Sequence, residues 1–371
     1  LLSLKDSANF NEIVRAWTRD IQSGNKLAAK WMPRERSSQK ALARKIARIL
    51  GFSYKEYRTW LSRNTDVAET YMCANEWSSI IYSHLPSQCH NKNKKAFQKN
   101  DSDRYTQYVE NVNSGSETVN TSTLWPHQVI SDTIMTNFGL RSSYGFRDFG
   151  QSNEELNETA AEKMLWDNLP NWVDDCPTLV VCDTSGSMFG AYGSNVKPGI
   201  IAISLALYTA EKLKGPYKDK FISFSREAKW VHADSSKSIA ERVRSIPSIV
   251  ENTNLQSVFD LVLKTAVKYH ILPEDMPKRI MIISDMQFDN GSDCDETNFE
   301  RIKRKYKNYG YEMPNLVFWN VSGIKKTFPV TAHESGTALI SGYSPAIMKA
   351  IAGDCLSPLG VMFQAIDYIN I

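Results

Sequence analysis

The sequence predicts a two-part chain. An all-helical N-terminal domain, open to a helical-repeat arrangement, covers residues 1–172, and a doubly wound, mostly parallel α/β domain covers 173–371. Three observations predict it. At 371 residues the chain exceeds one ordinary core, given about 100–200 residues per domain. Up to about position 170 the apolar residues recur at helical spacing, whereas from Cys176 onward short continuous apolar runs alternate with helical stretches. That alternation is the signature of buried parallel strands joined by crossover helices. Charge divides along the same line: residues 1–150 hold 21 Lys and Arg against 14 Asp and Glu, and the remainder 23 against 27. The N-terminal part is therefore the side suited to a polyanion.

Taken in order, "SSQKALARKIARILG" places Leu42, Ile46, Ile49 and Leu50 on one helical face, with Ser37 or Ser38 to cap its start and Gly51 to end it. Lys40, Arg44 and Arg48 then form a stripe on that helix, and "KWMPRER" adds Lys30, Arg34 and Arg36 beside Trp31. Cations next to an aromatic ring are one form of RNA footprint. The alternative is a solvated helix face whose stems cover apolar neighbours. A second basic run spans Asn91–Lys99, and from Phe97 within it a helical rhythm continues through Tyr105, Tyr108 and Val109. "EWSSIIYSHLPSQCH" brings His84, Cys89 and His90 together without metal-ligand spacing. "NVNSGSETVNTST" reads as an exposed loop, and "FRDFGQSNEELNETAAEKMLWDNLP" closes on a helix and a proline.

In the later part "TLVVC", "DKFISFS", "AKWVHA", "KRIMIIS", "NLVFWNV" and "ALISG" read as strands. Helices are predicted in "PGIIAISLALYTAEKLKG", ending at Gly215, in "LQSVFDLVLKTAVKYH", "NFERIKRKYKNYG", "SPAIMKAIAG" and "PLGVMFQAIDYI".

Composition, 42% hydrophobic and 23% charged, is globular. No run of about 18 apolar residues offers a membrane span. The opening "LLSLKDSANF" lacks a signal-peptide pattern, and without an initiating Met the numbering is expected to start inside a longer chain. Cys73, Cys89, Cys176, Cys182, Cys294 and Cys355 are scattered rather than paired. They are expected to be reduced, buried small hydrophobes in a cytoplasmic protein. The sequons at Asn120 and Asn320 give no argument for secretion.

One stretch carries chemistry. "VVCDTSGSMFG" sets Asp183, Ser185 and Ser187 at alternate positions where a strand ends, and ligands of open α/β sheets bind at the carboxyl ends of strands. Alternate short oxygen-bearing side chains aim at one point, and a hard cation takes oxygen ligands. Thr253, at a loop-to-helix junction, and Asp285, at the end of "RIMIIS", supply further donors. The implied ion is Mg²⁺ or Mn²⁺. The acidic run "DNGSDCDETNFE" is out of phase with a calcium loop and reads as solvated. P-loop, HExxH and GxSxG motifs are absent and the histidines show no triad pattern, so no enzyme is expected.

The order Asp183-x-Ser185-x-Ser187, Thr253, Asp285 resembles the von Willebrand factor A domain and its metal-ion-dependent adhesion site, which implies that these five residues hold the ion directly or through water. Further stretches, among them "KWMPRERSSQKALARKIARILGFSYKEYRTWLS", "MCANEWSSIIYSHLPS", "LWPHQVI", "SDMQFD" and "ALISGYSPAIMK", resemble the domain of unknown function 2828 family of plants, other eukaryotes and large DNA viruses. The layout, helices followed by an A domain, is similar to that of the Ro autoantigen, in which a ring of helical repeats binds RNA. Two readings follow. One is a non-enzymatic RNA-binding scaffold with a Mg²⁺-dependent adhesion site. The other is an adhesion or assembly protein without RNA, which captures a protein partner offering an acidic residue to the metal. Neither reading involves a membrane, and neither fixes an oligomeric state.

Overall fold

A computed structural model describes residues 7–34, 39–65, 67–138, 159–173, 175–190, 196–224, 227–247, 256–286, 296–322 and 337–342. Helices fill the first part, as the periodicity predicts. α1 (Phe10–Gln22) turns Phe10, Val14 and Ile21 inward, and α2 (Lys26–Trp31) is capped by Asn25, whose Oδ1 accepts from the Ala28 amide at 3.0 Å. α3 (Lys40–Ile49) buries Leu42, Ala43, Ile46 and Ala47. It begins after Gln39, which makes no side-chain cap; Ser37 and Ser38 lie outside the described residues. Its end is the predicted one. Gly51 adopts φ 73°, its amide bonds to Arg48 O at 3.0 Å, and the Phe52 amide reaches Ala47 O at 2.9 Å. This closure needs a left-handed residue, which glycine supplies without a Cβ penalty. α4 (Tyr54–Arg63) starts on a reciprocal Ser53–Glu56 capping box and adds Tyr57 and Leu61 to the same core.

α5 (Ala68–Ala74), α6 (Ser87–Asn100) and α7 (Ser102–Asn113) follow. Here Phe97, Tyr105 and Tyr108, on which Tyr82 packs in turn, surround His90, whose Nε2 lies 2.9 Å from the Tyr105 hydroxyl. Burial pushes the His90 pKa down to about 4, with Lys94 adding to the effect. It is a neutral core histidine.

The chain divides into two compact units between Asn111 and Val112. The sequence reading divides it at 172/173, because α8 (Pro126–Asn137) and α9 (Ala160–Asp167) are helices like those before them. By packing, both belong to the second unit. α8 lies against α10 (Pro198–Lys212) and α11 (Ile239–Arg244), and Trp166 of α9 donates to Glu211 of α10 at 2.7 Å.

The second unit is built on a six-stranded sheet of order β3-β2-β1-β4-β5-β6. The strands are β1 (Thr178–Asp183), β2 (Lys220–Phe224), β3 (Ala228–His232), β4 (Arg279–Ser284), β5 (Asn315–Asn320) and β6 (Thr337–Ser341). All pairs are parallel except β2–β3, where Lys220 faces His232. β1 and β4 are buried throughout, as continuous apolar runs covered on both faces must be. The fold class is the predicted one, helices followed by a doubly wound, mostly parallel α/β domain. α10 is buried without a break from Pro198 to Ala210, because it lies between the sheet and α8 and so shows no polar stripe. It stops at Lys212, not at Gly215 as the sequence suggests. Leu213 turns to extended geometry, and Gly215, φ 75°, opens a separate short turn. α12 (Gln256–Lys268) and α13 (Glu296–Asn308) match their predicted segments. The helices expected in "SPAIMKAIAG" and "PLGVMFQAIDYI" lie outside the described residues.

The cysteines differ from expectation. Cys182 is buried in β1, but Cys73 is exposed and Cys89 and Cys176 are half-buried, all four as free thiols. Cys73 stands near the end of the short α5, of which only Ala68 is buried, so no core encloses it. Among the described residues no helix is long and apolar enough to cross a membrane.

Candidate metal centre

β1 pairs with β2 on one side and with β4 on the other, Val181 standing opposite both Ile222 and Ile282. The strand order therefore reverses between β1 and β4, and in open α/β sheets this switch point forms a crevice beyond the carboxyl ends of the strands. Asp183 is the last residue of β1 and Asp285 the first after β4. Two acids 102 positions apart in sequence thus meet at one edge.

The turn leaving β1 is held from several sides. Asp183 Oδ1 accepts the Ser185 amide at 2.9 Å, and Oδ2 accepts the Ser284 hydroxyl at 2.6 Å. The Thr184 amide donates to Phe224 O at 3.1 Å, with its hydroxyl 2.9 Å from that of Ser223. Ser185 Oγ and Ser187 Oγ lie 3.1 Å apart. Beyond Ser284 the chain passes Asp285 to Met286, held at φ 61° with its amide on Ser284 Oγ at 3.0 Å. A left-handed backbone is costly for methionine and persists only where surroundings over-determine it. Ser284 is thus the residue the sequence reading missed. Its signal was its position, a lone hydroxyl at a strand end beside Asp285.

The donors fit a small divalent cation on three counts. Asp183 and Asp285 are fully buried, Ser185 nearly so, and Ser187 is half-buried at the rim. Asp183 has no cationic partner among the described residues. Its pKa is raised to about 6, chiefly by burial and further by the Asp285 charge, against the lowering effect of its hydrogen bonds from Ser284 and Ser185. Buried carboxylates without a counter-charge are costly unless paired or coordinating a metal. Neighbouring ligands of an octahedral Mg²⁺, each at about 2.0–2.1 Å, stand about 3 Å apart, which matches the hydroxyl pair. The described residues contain no cluster of three His, Cys, Asp or Glu; the donor set here is two carboxylates and hydroxyls, a hard-oxygen environment. Thr253 lies outside the described residues.

The six cations expected to face RNA separate. Lys30 is exposed, and the neighbouring Trp31 ring is 70% exposed. Lys40, Arg44 and Arg48 share the outer face of α3 and are exposed. Arg34 is half-buried and donates to Thr65 Oγ1 at 3.4 Å, a role in packing. Arg36 lies outside the described residues.

Comparisons with known proteins agree with a two-part chain. Residues 24–175 match the model of a domain of unknown function, DUF2828, and residues 177–356 that of a second, DUF7788. Uncharacterized protein L728 of Acanthamoeba polyphaga mimivirus is 29% identical over 371 residues, covering 92% of this chain; the chain spans about 60% of that relative's length. Among solved structures, the Deinococcus radiodurans Ro (RSR) protein is similar with a TM-score of 0.46 at 13% identity, covering 88% of this chain and 65% of that one. Proximal thread matrix protein 1 of the mussel byssus gives 0.32 at 10% identity, covering 50% and 47%.

Proposed function

We propose that this chain, whose two parts match the DUF2828 and DUF7788 models, is a non-catalytic scaffold whose α/β unit captures an acidic partner group through a divalent cation. The carrying observation is the convergence of Asp183, Ser185, Ser187 and Asp285 at the β1/β4 switch point, with two buried acids and no protein cation against Asp183. In this reading Asp183 and Asp285 supply the negative charge, and Ser185 and Ser187 supply neutral oxygens. Ser284 orients Asp183 from behind, and Thr253 completes the set. A Mg²⁺ or Mn²⁺ ion held by so few charges keeps an open position for a carboxylate oxygen from a partner.

The test is calorimetric titration of the metal-free protein with Mg²⁺ and Mn²⁺, alongside Asp183→Asn. The substitution keeps the acceptor for the Ser185 amide and can donate to Ser284, so the fold is expected to survive. Saturable binding in the native protein and none in the variant is the expected result. Equal heats from both sink the proposal.

A second feature supports RNA binding by the helical unit: the exposed stripe Lys40, Arg44 and Arg48, with Lys30 beside the solvent-facing Trp31. Such a face binds phosphates electrostatically and offers a ring for a base to stack on.

A further inference from the structure

The second unit carries a cationic feature independent of α3. Residues 151–371 have more acids than bases, yet α13 concentrates five of their cations in thirteen residues, Arg301, Lys303, Arg304, Lys305 and Lys307, against Glu296 and Glu300. Ile302 and Tyr306 bury the opposite side of the helix, which leaves all five cations facing solvent. α12 and α13 touch where Lys305 Nζ meets Asp260 Oδ1 at 2.5 Å and the Tyr306 hydroxyl donates to Phe259 O at 3.0 Å. Between them lies a groove of about 240 Å³ lined by Gln256, Arg301, Ile302, Arg304, Lys305 and Asn308. Asp260 neutralises Lys305, and Glu300 lies 3.8 Å from Lys303. Among the described residues Arg301, Arg304 and Lys307 have no carboxylate partner.

We propose that this α12–α13 groove is a binding track for the phosphate backbone of single-stranded RNA, separate from both the candidate metal centre and the α3 stripe. The ligand class follows from the arrangement. A compact anion is held by donors converging on one point, whereas these cations are strung along a helix over about 10 Å, at 1.5 Å per residue. That suits successive phosphates. Arginine presents a planar fork that matches phosphate oxygens two at a time, and Gln256 and Asn308 add neutral donors to the groove lining. Tyr309, 56% exposed immediately after the helix, offers a ring on which a base can stack. An acidic peptide shares the charge but has no use for that ring.

The full chain is titrated into a fluorescein-labelled single-stranded oligouridylate of about 20 nucleotides across a salt series, without divalent ions, and read by anisotropy. Arg301→Glu/Arg304→Glu is expected to weaken binding about tenfold or more and to reduce the slope of log affinity against log salt by about 1.4, at about 0.7 for each phosphate no longer neutralised. Tyr309→Ala is expected to weaken binding without changing the slope. Unchanged affinity and slope in the double variant overturn the track. If binding is lost only in Lys40→Glu/Arg44→Glu/Arg48→Glu, the α3 reading stands and this one falls; the reverse result upholds the groove against α3. Displacement of the RNA by polyglutamate at equal charge concentration overturns the nucleic-acid assignment, and absence of any binding by the native chain overturns both.

Discussion

Asp183 concentrates the chemistry of the α/β unit in one side chain. A buried carboxyl whose pKa is raised from 3.8 to about 6 binds its proton more tightly in the folded than in the unfolded state. Its contribution to stability is therefore fully present at acid pH and is lost as pH rises from about 4 through about 6. Once ionised, Asp183 is a buried charge without a cationic partner among the described residues, which a divalent cation would relieve. Thermal unfolding should accordingly show a larger Mg²⁺-induced rise in melting temperature at pH 7 than at pH 5. Asp183→Asn should remove both the Mg²⁺ response and its pH dependence, and should stabilise the metal-free protein at pH 7 by about 1–3 kcal/mol, the order set by the rise of the Asp183 pKa from 3.8 to about 6 at about 1.4 kcal/mol per tenfold change in proton affinity. An identical Mg²⁺ shift at both pH values contradicts this account. The acids and serines were legible as a spaced pattern. Ser284 was not, because a hydroxyl at the end of a strand gains meaning only when Asp183 is seen 2.6 Å away on the neighbouring strand.

Helix α10 is where the site meets the rest of its unit. The turn carrying Ser185 and Ser187 continues into Phe189, whose ring tip presses on Gly199; a Cβ built there would stand 2.5 Å from the ring. Gly199→Ala must push that ring, and the loop bearing the serines, away from the helix. A loss of about 1–3 kcal/mol, the usual penalty of overpacking, should accompany weaker cation affinity, checked by denaturant unfolding and calorimetry on the same variant. Unaltered cation affinity would show that β2 and Ser284 hold the turn without help from α10. At the other end of α10, Glu211 Oε2 accepts from both Trp166 Nε1 and Arg242, each at 2.7 Å, tying α9 and α11 to the helix. Burial by itself raises the Glu211 pKa, but the bonds from Trp166 and Arg242 and the Lys212 charge outweigh it and hold the group below the ordinary range. This stabilisation is present above about pH 4.5 and is lost as pH falls below it. Glu211→Ala strands a buried guanidinium and should cost about 3–5 kcal/mol, measured by urea unfolding at neutral pH; a loss under about 1 kcal/mol would mean that solvent replaces the carboxylate.

Among the described residues, positive charge gathers on the α3 stripe and the Asn91–Lys99 run of the first unit and on the α13 face of the second. If α3 binds RNA, Lys40→Glu/Arg44→Glu/Arg48→Glu should lower the salt slope of binding by about 2, at about 0.7 per phosphate. Filter binding at two salt concentrations distinguishes this from a solvated face, for which the slope stays unchanged. By itself the sequence determined the periodic elements and their order, because helical and strand spacing are local properties of neighbouring residues. It also made the oxygen donors Asp183, Ser185, Ser187 and Asp285 legible, because they sit at or just beyond strand ends that the apolar runs announce. Tertiary structure alone decided which helices belong to which core. α8 and α9 read like those before them, yet Trp166 and Glu211 join α9 to α10, against which α8 also packs, and the 175/177 division between the two family matches does not follow the packing boundary at 111/112. It also brought Asp183 beside Ser284 and Asp285, and aligned Arg301 and Arg304 along Gln256. Each of these meetings depends on strand register or on the packing of helices distant in sequence, which no short window of residues encodes.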